Sequence, residues 1–182
     1  VWIVGKRVGV RVGVFQPDDN VRPRFPLTAA FHEAGHAVAR LHVGAPPTAT
    51  WIAPDGRGVS EGTGTRWTSA SPGYHAAWDL LLVLLAGPHA EAKQAQRSRA
   101  FVMRSSGAQD FAEAKPIVAA LVRRGYADDE LAAWRRADQD VRRFVQSRWP
   151  AVASLAWALA CAGRVPAEDL VRLVRRPACG LA

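Results

Sequence analysis

The sequence predicts a mainly α-helical chain with a small β element, organised around one central helix. Three observations predict it. Phe31-His32-Glu33-Ala34-Gly35-His36-Ala37-Val38 carries H-E-x-x-H inside an apolar, helix-favouring stretch. Beyond residue 74 the apolar residues recur at helical rather than strand spacing. Only two stretches, Val1 to Phe15 and Thr48 to Thr68, have the Val, Thr and Gly content of extended chain. At 182 residues, 49% of them hydrophobic, the chain is long enough to bury a sizeable core.

Taken in order, Val1 to Phe15 alternates valine with Gly and Arg and reads as a strand or short hairpin. Gln16 to Pro26, with its Pro and Asp, reads as a loop. Residues 1–26 thus form an N-terminal appendage and residues 27–182 the main globular unit. Thr28 is the expected N-cap of the central helix, and Gly44-Ala45-Pro46-Pro47 stops it. Residues four apart on a helix share a face, so His32 and His36 can offer two imidazole nitrogens to one ion. Glu33 stands beside the first of them, where a carboxylate can take a proton from water activated by that ion.

Thr48 to Ala53 reads as a strand, Asp55-Gly56-Arg57-Gly58 as a turn and Val59 to Thr68 as a second extended piece. Ser71-Pro72 is the expected start of a helix whose core is Trp78 to Leu85, with Pro88 expected to kink or restart it. Glu91 is either a partner for a metal-bound histidine or a helix-surface charge. A further helix follows Ser105-Ser106-Gly107-Ala108-Gln109-Asp110 and closes at Gly125, bent by Pro116. Asp128 onward reads as helical, with stops at Pro150 and at Gly163 to Pro166. Leu131, Trp134, Val141, Phe144, Val145, Trp149, Leu155, Leu159, Leu170 and Leu173 are its expected buried faces, opposite Arg135, Arg136, Arg142 and Arg143.

These segments, from about Leu27 to Val174, resemble in order the zinc peptidase domain of the FtsH-type metallopeptidases. H-E-A-G-H-A-V is followed by W-I-A-P-D-G-R-G, similar to a family strand and glycine turn that edges the active cleft. Leu85-Ala86-Gly87-Pro88-His89-Ala90-Glu91 is similar to the family's L-A-G-R-x-A-E-E. It departs from that run at Pro88 and at Ala92. Gly107-Ala108-Gln109-Asp110-Phe111 is similar to G-A-x-N-D-L, whose aspartate is the family's third zinc ligand. The resemblance implies a zincin-like fold and a Zn²⁺ ion held by His32, His36 and Asp110, with a fourth position open for water. It implies a zinc-dependent endopeptidase acting on unstructured protein, with Glu33 as its catalytic base. On residues alone, a helix cap is the lesser alternative for Asp110.

Other readings stay beside this one. His42 completes H-E-x-x-H-x-x-A-x-x-H, close to the metzincin string, but Ala39 replaces the glycine that lets the chain leave the helix. In a continuous helix six residues turn about 600°, which places His42 on another face. His75 and His89 are expected at the surface or behind a ligand. The strand edge at 51–58 either pairs with an extended substrate or covers the core. The net charge of +8, nearly all arginine, fits a solvated surface better than a nucleic-acid partner. A non-catalytic, metal-stabilised interaction module binding nucleic acid through those arginines is the alternative to an enzyme. Intact Glu33 argues against that module. No apolar run reaches the ~20 residues of a membrane span. Two cysteines make no disulfide framework, so a cytoplasmic location is expected. The sequence contains no G-x-x-x-x-G-K-[ST], so an ATP-driven unfoldase, if one serves this peptidase, is expected on a separate chain.

Overall fold

The computed structural model describes residues 22–62 and 73–175. The expected strand or hairpin at Val1 to Phe15, the cap at Ser71-Pro72 and the far part of the second extended piece lie outside them. Helix α1 spans Leu27–His42. Strands β1 (Pro47–Ile52) and β2 (Gly58–Gly62) follow, then the long helix α2 (Tyr74–Gln94) and a single turn, α3 (Arg99–Val102). The chain continues through α4 (Ala108–Arg123), α5 (Glu130–Ser147), α6 (Trp149–Ala162), β3 (Arg164–Pro166) and α7 (Ala167–Arg175). The fold is therefore mainly helical, with one antiparallel three-stranded sheet in the order β2-β1-β3.

Helix α1 is the hub because nearly all of it is small or apolar. Ala30 to Ala39 is buried without interruption. It packs on α2 at glycines rather than at large side chains. A Cβ on Gly35 would stand 2.5 Å from the carbonyl oxygen of Ala86, so only glycine lets the two backbones approach so closely. On the other flank Phe31 stacks on Trp149 at the start of α6, with ring centroids 5.2 Å apart. The helix does not begin on a Thr28 cap. Pro26 occupies the cap position, with φ −59° and no side-chain hydrogen bond, and its carbonyl accepts from Ala30. A proline's fixed φ suits this entry, and Thr28 falls inside the first turn.

The strands pair Trp51 with Val59 and Thr50 with Ser60 on one side, and Thr50 with Val165 on the other. β3 interrupts what the sequence predicts as a plain break between helices. Its three residues are too few for any alternation to register. Gly163 makes the turn into β3 at φ +74°, and a Cβ there would strike the Phe25 ring at 2.5 Å.

Helix α2 runs through Pro88 without restarting, and α4 runs through Pro116. Pro88 is held from outside, since a Cβ on Gly107 would reach its Cγ at 2.8 Å. Tertiary packing here outweighs the lost backbone hydrogen bond. Leu131 is 58% exposed rather than buried. The buried face of α5 is Ala133, Ala137, Val141, Phe144 and Val145. Leu131, in the first turn, lies about 100° round the helix from the middle of that face. The other expected core residues of α5 to α7 are buried or half-buried, and the four arginines are exposed. Among the described residues no helix is long and apolar enough to cross a membrane.

Candidate metal centre

His32, Glu33 and His36 lie in the buried middle of α1, at 9%, 8% and 9% exposure. Imidazoles so deep need partners for both nitrogens. His36 Nδ1 donates to the carbonyl of Val83, at 2.8 Å. His32 Nδ1 lies 2.9 Å from Glu91 Oε2, and Ser106 Oγ donates to the same carboxylate at 2.7 and 2.8 Å. Both rings are thus tethered by their outer nitrogens to α2, directly or through a carboxylate. Their inner Nε2 atoms face Asp110: His32 Nε2 is 3.1 Å from Oδ2 and His36 Nε2 is 3.4 Å from Oδ1.

Three elements set this geometry. The Gly35 crossing brings α2 close enough for Val83 and Glu91 to reach the rings. Gly87 leaves the space in which the His36 ring lies, since a Cβ there would overlap His36 Nε2. Asp110, third residue of α4, turns inward from the opposite side. Tethered Nδ1 atoms turn both Nε2 atoms towards a common point, the arrangement that orients metal-ligating histidines. One atom each from His32, His36 and Asp110 lies within 4.8 Å of the others, a separation that fits one ion between them. The donor set of two imidazoles and a carboxylate suits Zn²⁺ with an open fourth position.

The electrostatics follow from burial and contact. Burial alone would lower the His32 pKa, but hydrogen bonds to Asp110 and Glu91 reverse that and raise it to about 9. Burial would raise Asp110, yet hydrogen bonds from both histidines hold it well below the usual carboxylate range. Glu33 is raised, chiefly by burial, against the pull of His36 and His32. Glu91 is held low by His32 and Ser106 in spite of its burial.

Glu33 also meets the sheet. A Cβ on Gly58 would stand 2.5 Å from Glu33 Cγ, so β2 begins directly over the carboxylate. β2 is an edge strand, with β1 its sheet neighbour among the described residues.

The remaining histidines stand apart. α1 is continuous through His42, whose ring lies 5.1 Å from that of Phe144, away from the cluster. It lines a 470 Å³ cavity with Trp78, Leu82 and Phe144, to which no residue of the cluster contributes. His75 is exposed at the start of α2, and His89 is buried against α5 rather than behind a ligand. Sequence reasoning missed Ser106, Val83 and Gly87. Ser106 stands in the same Ser-Ser-Gly-Ala-Gln-Asp stretch as Asp110, which is a usable signal. A backbone carbonyl such as that of Val83 leaves none. No protein-family model and no curated protein matches the chain.

Proposed function

We propose that this chain is a zinc-dependent endopeptidase, of the FtsH-type peptidase-domain kind, acting on unstructured protein segments. The observation that carries the reading is the convergence of two tethered imidazoles on Asp110, with a buried carboxylate on the adjacent residue. His32, His36 and Asp110 would hold Zn²⁺, and zinc, when bound, supplies Lewis acidity that lowers the pKa of water to about 7.

The chain's own residues supply the rest. Glu33 takes a proton from water as its oxygen adds to the scissile carbonyl carbon. Its raised pKa makes it a better proton acceptor than a solvated carboxylate. Protonated Glu33 then returns that proton to the amide nitrogen as the C–N bond breaks, which restores Glu33. The products are a carboxylic acid and an amine, which exchange a proton to become carboxylate and ammonium. Glu91, braced by Ser106, fixes the ring orientation of His32. The β2 edge above Glu33 can pair with an extended peptide through main-chain hydrogen bonds, which suits unfolded rather than folded substrates.

Glu33→Gln is the test. It is expected to keep zinc and the fold while casein cleavage falls to background, because it removes only proton handling. Near-wild-type cleavage by that variant excludes the mechanism. Bound zinc with no cleavage by either form favours the non-catalytic module.

A further inference from the structure

A second cluster lies away from the metal residues, where the end of α2 and the start of α3 meet α5. A pocket of about 250 Å³ is lined there by His89, Lys93, Arg97, Arg99, Arg142 and Gln146, among others. Four of these six side chains are cations. The acid in contact with them is Asp138, which pairs with Arg99 and lies 3.3 Å from Arg142. One contacting carboxylate against four cations, with Glu91 acting on Arg97 from nearby, leaves an excess of positive charge around a small concavity.

Three of the four cations, Lys93, Arg97 and Arg142, are exposed, so a counter-ion can reach them, and their mutual repulsion favours one. His89 lies beside them. It is 4% exposed, yet its Nε2 makes no hydrogen bond among the described residues. The nearest acid is Asp138 Oδ1 at 3.4 Å. That nitrogen is closed to solvent and faces Asp138, so His89 serves as a buried reporter of charge at the pocket rather than as a ligand group. Arg97 and Lys93 also make aromatic contacts, over Phe101 at 5.2 Å and over Trp149 at 4.4 Å. Their charges are therefore not cancelled by those contacts.

We propose that this pocket binds a small phosphate dianion, free inorganic phosphate or pyrophosphate. A phosphate offers about two negative charges and three strong acceptor oxygens, matching forked guanidinium donors and the charge excess. A single carboxylate would leave most of that excess in place. The volume is below the ~300 Å³ at which pockets accept drug-sized ligands, which favours a compact anion. A nucleic-acid strand would instead need a cationic track extending beyond one concavity. The site is independent of the peptidase reading and does not share its residues.

The test uses the zinc-loaded protein with histidine side chains followed by NMR, the His89 signals being assigned through His89→Gln. Inorganic phosphate and pyrophosphate are titrated at fixed ionic strength. Phosphate is expected to shift the His89 resonances with a Kd on the order of 1 mM, and pyrophosphate to bind about tenfold tighter. The double variant Arg97→Glu/Arg142→Glu alters two exposed side chains and is expected to weaken phosphate at least tenfold. Arg135→Glu, an exposed arginine that does not line the pocket, should change it less than twofold. Shifts confined to His32 and His36 would mean that phosphate binds only at the metal and would overturn the proposal. So would equal affinity in the double variant. A single-stranded oligonucleotide whose binding depends on Arg97 and Arg142, with free phosphate silent, would reassign the pocket to nucleic acid.

Discussion

At the scale of single residues, the proposed zinc site would couple metal uptake to protons through His32. With its pKa raised to about 9, it carries a proton at pH 7 in the metal-free protein. A ligating imidazole must be neutral, so zinc uptake must expel that proton. Calorimetry in two buffers of different ionisation enthalpy should find close to one proton released from His32 at pH 7, falling towards none above pH 9. The sign for stability follows. A raised histidine pKa stabilises the metal-free fold below about 6.5, and that contribution is lost as pH rises through 9. The same titration ranks the ligands. Asp110→Ala should weaken zinc sharply, Glu91→Ala by about 10–100-fold, and His42→Ala hardly at all. Full affinity in Asp110→Ala would end the assignment, and collapse in His42→Ala would revive the metzincin arrangement.

At the scale of elements, the α1–α2 crossing is where structure and site meet. Gly35→Ala places a Cβ against the Ala86 carbonyl, and backbone cannot yield as a side chain can. It should cost about 1–3 kcal/mol in urea denaturation. Gly87→Ala meets the His36 ring instead, so its larger effect should be on zinc affinity. A Gly87→Ala protein with normal zinc affinity would show that the ring can move without loss. The helices themselves were legible in the sequence, because periodic apolar faces, Gly163 and Pro150 act locally. So was the ligand pair, whose spacing is a property of one helix. Asp110 was reached only through resemblance, since nothing near it in the chain announces His32. Thr28 and Leu131 misled for one reason. Local preference at each was overridden by what packs against it, or by the face on which it falls.

At the scale of the whole molecule, charge is arranged rather than spread. On α5, Arg136 and Arg143 flank Asp140 at 3.7 and 2.8 Å, so part of the arginine surface is paired along its own helix. Exposed pairs of this kind contribute little to stability. Acid sensitivity should come from inside instead. Burial first, with Arg99 and Arg142 adding to it against Asp138, lowers His89 to about 4. The folded protein then binds fewer protons than the unfolded chain between about pH 4 and 6.5. Stability should therefore fall as pH drops through that window, by at most about 1.4 kcal/mol per pH unit from this residue. Chemical denaturation at several pH values checks it: His89→Gln should flatten the slope, and an unchanged slope would assign it elsewhere.

His32 and Asp110 stand 78 positions apart along the chain, yet their side chains meet. An ion gripped by both, and by His36, is therefore a covalent-like staple closing a loop that contains the sheet strands β1 and β2 and all of α2. Cross-linking a loop of that length in the unfolded chain is worth on the order of 4 kcal/mol in chain entropy. The polypeptide would thus obtain from coordination chemistry the topological restraint that secreted proteins obtain from oxidation. Unlike a disulfide, this restraint is undone by a chelator and restored by dialysis, with no change in redox state.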